Sequence, residues 1–127
     1  MRISTLALAC AFTLATSAAL ADDPMANTYA NTVTTKSAQS GAGKLLFNAD
    51  GSYSASTTTP DGKPFAYNGK WVLKDANATI CLTPELPANS PGAGESCSPL
   101  QMHAVGDTWS VTNNKGETFE VSLVAGR

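Results

Sequence analysis

The sequence predicts an all-β domain of about eight short antiparallel strands arranged as a meander. After residue 28, apolar and polar side chains alternate with a period of two along most of the chain, which is typical of strands with one buried and one solvated face. Turn-forming combinations of Asn, Asp and Gly separate these stretches. Because the same region lacks a sustained 3.6-residue apolar period, we do not expect amphipathic helices there.

The clearest strand is Phe65–Lys74, where Phe65, Tyr67, Trp71 and Leu73 share one face while two lysines lie on the other. The same alternation predicts a set of strands that spans Tyr29–Thr35, Lys44–Asn48, Ser52–Thr58, Phe65–Lys74, Thr79–Thr83, Pro99–Ala104, Thr108–Asn113 and Glu117–Val124.

Tight turns connect most of these strands, and Asn48–Gly51, Pro60–Lys63 and Asn113–Gly116 supply residues that tolerate a positive φ. The exception is Pro84–Pro99, which contains four prolines and two glycines. Since proline cannot donate a hydrogen bond to a sheet, this segment is predicted to be a long surface loop.

Eight sequential antiparallel strands can close into an up-and-down barrel, which removes exposed sheet edges. We prefer this architecture to a two-sheet β-sandwich, which would show the same alternation. The side chains expected inside are Leu45, Phe47, Tyr53, Phe65, Tyr67, Trp71, Leu73, Ile80, Leu82, Leu100, Met102, Trp109, Val111, Phe119, Val121 and Leu123. An eight-stranded barrel is only just wide enough to be filled by side chains or to hold one small ligand, and we expect it to be filled.

The first residues, Met1–Ala21, carry the features of a cleavable secretory signal peptide in the usual order. Arg2 supplies the positive charge, Ile3–Leu14 a short apolar stretch, and Ala19–Ala21 the small residues of the cleavage site. Cleavage would leave the protein in the periplasm or outside the cell. Cys10 leaves a minor alternative open, in which the protein is a lipoprotein anchored through that residue.

The predicted organisation is therefore a signal-peptide helix over 1–21, a flexible lead-in over 22–28 and a single β-domain over 29–127. Two cysteines remain after cleavage, Cys81 and Cys97, and such a pair in a small exported domain predicts a disulfide. In the chain-entropy model a loop of this size contributes about 3 kcal/mol of stability. The bond would hold the base of the Pro84–Pro99 loop.

The charge distribution excludes some partners. Without Arg2, seven basic residues are scattered along the chain and ten acidic residues outnumber them. The lack of a basic patch argues against nucleic-acid binding and against attraction to anionic lipid. After residue 21, no apolar stretch is long enough for stable membrane insertion.

The single histidine, His103, is the one obvious general base. On the predicted strand Pro99–Ala104 it lies opposite Leu100 and Met102, so we expect it to face solvent. The sequence lacks a nucleophile elbow, a zinc-ligand spacing and a credible pair of carboxylates. It therefore predicts no enzyme activity, no metal site and no cofactor.

Two kinds of binding site are predicted instead. The first is a protein-binding surface on the long loop, because recognition concentrates on loops held by a rigid scaffold. Its partner would be another envelope or secreted protein, and inhibition of a secreted hydrolase is one form of this hypothesis. The second is a small apolar-ligand site inside the barrel. Candidate residues are Glu85, Leu86, Asn89 and Glu95 for the loop, and Tyr53, Tyr67, Trp71 and Trp109 for the interior.

Turn residues, core aromatics and the cysteine pair follow one another in the order Asp50-Gly51-Ser52-Tyr53, Gly69-Lys70-Trp71, Cys81, Cys97 and Gly106-Asp107-Thr108-Trp109. This order resembles small exported bacterial β-domains of unknown function. The strand count is also similar to that of lipocalin-like barrels and of exported barrel-shaped inhibitors. The resemblance implies a disulfide-stapled β-fold and carries no activity with it.

Overall fold

A computed structural model of the protein describes residues 23–127. The predicted signal peptide, its cleavage site and Cys10 lie outside this range. Eight strands make up the described chain: β1 (Thr32–Ser37), β2 (Gly41–Phe47), β3 (Ser52–Thr58), β4 (Pro64–Lys74), β5 (Thr79–Pro84), β6 (Ser96–Pro99), β7 (Thr108–Thr112) and β8 (Thr118–Val124). Within residues 23–127, no helix is long and apolar enough to span a bilayer.

All eight strands form one antiparallel sheet in the order β6-β5-β4-β3-β2-β1-β8-β7. β1 to β6 pair in sequence, and β8 returns to pair with β1, with Thr32 opposite Val124. The end strands β6 and β7 meet at a seam. There the Asn114 backbone N–H donates to the Cys97 carbonyl oxygen (2.9 Å) and the Cys97 N–H donates to Asn114 Oδ1 (3.0 Å). The sheet is a nearly closed barrel, so the predicted eight-stranded meander is confirmed and the two-sheet alternative is excluded.

The core lies on the inward face of this sheet, as the period-two alternation predicts. Its fully buried members are Met25, Val33, Phe47, Tyr53, Ala55, Val121 and Leu123. Two side chains that were expected inside are in fact exposed, Phe65 at 48% and Met102 at 45%. Phe65 is the second residue of β4 and lies at one end of the barrel. Met102 lies beyond Pro99, the last residue of β6.

The largest difference between prediction and structure concerns the segment after the long loop. The predicted strand Pro99–Ala104 is wrong, because β6 ends at Pro99 and residues 100–104 belong to no strand. Conversely, β6 occupies the end of the predicted loop. Proline at position 99 has no backbone N–H for the ladder, and the Ala104 N–H donates instead to Asp107 Oδ2 (2.9 Å). Residues 100–107 therefore form an irregular connection between β6 and β7.

The disulfide joins β5 to β6. Cys81 and Cys97 lie directly opposite each other in the β5–β6 ladder, with their Cα atoms 4.1 Å apart. Cys81 sits between Ile80 and Leu82, which face the interior, so the bond lies on the outer face of the sheet. The pairing predicted from the sequence is confirmed, and it fixes the short end strand that the loop would otherwise leave free.

Reduction of this bond should weaken the fold. We expect the reduced protein to lose about 3 kcal/mol of unfolding free energy, since the closed loop no longer restricts the unfolded chain. Urea unfolding of the mature protein with and without a reductant measures the change. The double variant Cys81→Ala/Cys97→Ala is the matched control and should not respond to the reductant. Equal urea midpoints for the oxidised and reduced wild type would contradict the prediction.

Candidate functional site

The barrel contains a cavity of about 230 Å³ that is partly open to solvent. Its wall includes large side chains that the sequence places inside, such as Leu45, Ile80 and Phe119. The expectation of a filled interior is therefore wrong. The reason is that several inward positions hold residues too small to meet across a barrel, among them Thr35, Thr57, Ser96 and Ser98.

One end of the barrel is covered by residues 23–31, which we call the plug. Its turns are fixed by hydrogen bonds from the Met25 N–H to Asp23 Oδ1 (2.9 Å) and from the Thr28 N–H to the Met25 carbonyl (2.8 Å). The Met25 side chain is 2% exposed and belongs both to the core and to the cavity wall. The plug overlaps the lead-in predicted over 22–28, and burial of this one apolar side chain anchors it to the barrel.

The plug is joined to the rest of the barrel on two sides. Asn27 Nδ2 donates to the His103 carbonyl (3.0 Å), which ties it to the connection between β6 and β7. Arg127 Nη1 donates to the carbonyl of Tyr29 (2.8 Å), and Nη2 donates to Asn48 Oδ1 (2.8 Å). Arg127 thus links the plug to the β2–β3 turn.

The imidazole of His103 contributes to the cavity wall, and the expectation that it faces solvent is wrong. Its ring stacks on Trp109 with centroids 3.5 Å apart and planes inclined by 7°. Nδ1 lies 3.6 Å from Asp107 Oδ2, and the side chain is 21% exposed. Strand alternation does not apply here, because His103 lies in the irregular connection after β6.

Three of the four candidate interior aromatics, Tyr53, Tyr67 and Trp109, line the cavity. Trp71 has another position. Its indole N–H donates to the carbonyls of Asn48 (3.0 Å) and Ser52 (3.1 Å), so it closes the turn between β2 and β3. The alternation of side chains along a strand shows only which face a residue occupies. It therefore could not distinguish Trp71 from the three aromatic residues that line the cavity.

Tyr53 and Tyr67 lie on the neighbouring strands β3 and β4, with ring centroids 6.3 Å apart and an interplanar angle of 83°. Gly69 pairs with Tyr53 across the ladder, and a Cβ at that position would overlap the tyrosine ring. The ring therefore lies flat over the glycine backbone. Burial raises the pKa of both phenols, with smaller contributions from Tyr67 and Glu85 at Tyr53 and from Glu117 at Tyr67.

The opposite end of the barrel is formed by the turns 38–40, 59–63 and 113–117 and by the loop 85–95. Glu117 Oε2 accepts hydrogen bonds from Ser37 Oγ (2.8 Å) and from Ser40 Oγ. Ser40, Gly92 and Asn113 from three of these segments contribute to the cavity wall. Polar groups therefore line this end of the cavity, whereas most of the remaining wall is apolar.

Two lysines contact the loop 85–95. Lys74 Nζ lies 3.0 Å from Glu95 Oε1, and Lys115 Nζ donates to the Ala93 carbonyl (3.0 Å). The candidate contact residues lie in separate parts of the loop. Glu85 donates its N–H to the Asn68 carbonyl, Leu86 is half-buried and Asn89 is exposed at the tip.

The side chains near the cavity and near the disulfide restrict which ligands and metal ions could bind there. Among the described residues, those that line the cavity include no Asp, Glu, Lys or Arg. Cys81, Cys97 and Glu95 bring three potential metal-ligating atoms within 4.8 Å of one another. Both sulfur atoms are already bonded to each other, so this cluster offers a metal ion only one carboxylate.

Comparisons of the chain with protein-family models, with curated proteins and with solved structures found no match.

The two methionines after residue 23 provide a test of the plug. We expect Met25→Ala to lower the free energy of unfolding by about 2–5 kcal/mol, since it empties a buried site. Met102→Ala removes the same atoms from an exposed position and should change the free energy of unfolding by less than about 0.5 kcal/mol. Urea unfolding of the two variants measures the difference, and equal losses would contradict the described position of the plug.

Proposed function

We propose that this protein is an exported, non-enzymatic carrier that binds a small, largely apolar molecule inside its barrel. The observation that supports the proposal is the cavity of about 230 Å³, which has a mostly apolar wall with some polar groups. Concave sites of this composition are typical of small-molecule binding. The disulfide is compatible with export to an oxidising compartment.

The size of the cavity restricts the ligand. Pockets for drug-sized molecules measure about 300–1,000 Å³, so this cavity suits something smaller. An apolar cavity of about 150 Å³ binds benzene, and scaling from that case gives a ligand of roughly nine non-hydrogen atoms. The wall carries no carboxylate, ammonium or guanidinium group among the described residues, which favours an uncharged ligand.

A cavity-filling variant tests this function. Val111 faces the cavity on β7, and tryptophan at this position would occupy much of the space. Isopropylbenzene at about four times its Kd should stabilise the wild type by about 1 kcal/mol and raise Tm by about 4–8 °C. We expect Val111→Trp to abolish that rise, because the probe no longer fits.

The matched control is Val72→Trp, which alters an exposed valine on the outer face of β4 and should keep the full rise. The measurement is the melting temperature with and without the probe. The proposed function fails if the wild type shows no rise, or if Val111→Trp shows the same rise as Val72→Trp.

A second candidate function is recognition of another exported protein through the loop 85–95. The contacts of Lys74 with Glu95 and of Lys115 with Ala93 favour it, because a loop held in place loses less conformational freedom on binding. A hydrolase that is inhibited by this contact would be one such partner.

Substitution at the loop tip separates this candidate from the first. We expect Asn89→Arg to weaken a protein complex at least about tenfold, since a charge would be buried at its centre. Ser110→Arg places the same charge on the exposed outer face of β7 and should leave the complex unchanged. A partner would first be captured from proteins of the same compartment and purified. Its Kd for each of the two variants then measures the effect of the loop substitution. Equal Kd values for the two variants would contradict a role for the loop.

A further inference from the structure

We infer that the cavity selects an uncharged carbonyl compound, such as a ketone, ester or lactone, whose oxygen accepts hydrogen bonds from the hydroxyls of Tyr53 and Tyr67. This inference rests on the ligand-binding function proposed above and adds the chemical class of the ligand. The argument depends on where the two phenols lie, what they contact and what else the wall offers.

The two phenols form one pair on the wall. Tyr53 lies opposite Gly69, and Ala55 lies opposite Tyr67, so the rings are diagonal neighbours on the inward face of β3 and β4. Both rings line the cavity, and Tyr53 is 2% exposed. The Tyr53 ring is fixed in place from three directions, by Gly69 below it, by Phe47 at 5.6 Å and by Tyr67 at 6.3 Å.

Neither hydroxyl has a hydrogen-bond partner among residues 23–127. By contrast, the hydroxyl of Tyr29 donates to Asp23 Oδ2 (3.0 Å) on the outside of the barrel. In the described chain no side-chain nitrogen or oxygen atom is fully enclosed without a partner, so the two free hydroxyls must reach open space. Since both residues line the cavity, we take that space to be the cavity, where each hydroxyl is open to a ligand that accepts a hydrogen bond.

The hydroxyls act as donors. Burial raises the pKa of both phenols above the ordinary value of 10.0, so both keep their protons at neutral pH. A phenol that keeps its proton presents its O–H to an acceptor, and a carbonyl oxygen can accept two such bonds through its two lone pairs. An uncharged carbonyl group also suits a wall without charged side chains, because burying an ionised carboxylate without a paired charge is costly.

The wall also carries other polar side chains, among them Ser96, Ser98 and Asn113, and one histidine, His103. It belongs to the connection at the β6–β7 seam, whereas β3 lies three strands from β6 in one direction and four strands from β7 in the other. His103 therefore lies across the barrel from the two phenols. A protonated imidazole would attract a carboxylate, and the experiment includes such a ligand as a separate outcome.

Three probes of equal size and nearly equal shape separate these cases: acetophenone, isopropylbenzene and benzoate have the same number of non-hydrogen atoms. We expect the ratio of the isopropylbenzene Kd to the acetophenone Kd to fall about three- to tenfold from the wild type to Tyr53→Phe/Tyr67→Phe. Since the ratio is compared between proteins, the different solubilities of the probes in water cancel. Isothermal titration measures each Kd.

The controls keep the test specific. Ser110→Ala removes a hydroxyl from the exposed outer face of β7, outside the cavity, and should leave the ratio unchanged. Tyr67→Phe alone provides a second measurement, with a smaller fall in the ratio, should the double variant not fold. The inference is overturned if the ratio is the same in wild type and the Tyr→Phe variants, or if benzoate binds most tightly. Those results leave the proposed function standing, which fails only if isopropylbenzene itself does not enter the cavity of the wild type.

Discussion

The structure depends on one constraint, the closure of a narrow sheet whose alternate side chains all point into the same enclosed space. In an eight-stranded barrel the inward side chains of facing strands just meet when they are large. Here large residues such as Phe47 and Tyr53 share the interior with serine and threonine. The large residues supply the burial that stabilises the sheet, and the small ones leave the cavity. Stability and the binding site therefore come from the same set of positions.

Strand alternation made the architecture predictable, because it requires only the local preference of each residue for one face of a sheet. Seven of the eight strands lie where the pattern places them, within a few residues at each end. The strand before Ala104 was misplaced, since Pro99 ends the ladder and the following residues bond to Asp107 and Asn27 instead. Contacts of this kind join distant parts of the chain and leave no periodic signal.

The same distinction explains what could be predicted of the site. Tyr53, Tyr67 and Trp109 were identified as interior residues because they lie on regular strands. His103 and Met25 were missed because their positions depend on irregular segments held by tertiary contacts. Met25 left one signal, that of a lone apolar residue in a polar stretch before the first strand. The cavity is not evident from the large inward residues alone, because the space depends on the small residues, such as serine, that alternate with them.

The pairing of β1 with β8 has a consequence for the order of folding. Thr32 and Val124 lie near opposite ends of the chain, yet they are neighbours in the ladder. When the N-terminal part of the chain folds first, it can form the hairpins from β1 to β6. The apolar face of these hairpins stays exposed to water until β8 pairs with β1. Contacts between distant residues also make folding slow. Such a chain would remain open until β8 is available to pair with β1, and only then would the sheet surround its interior.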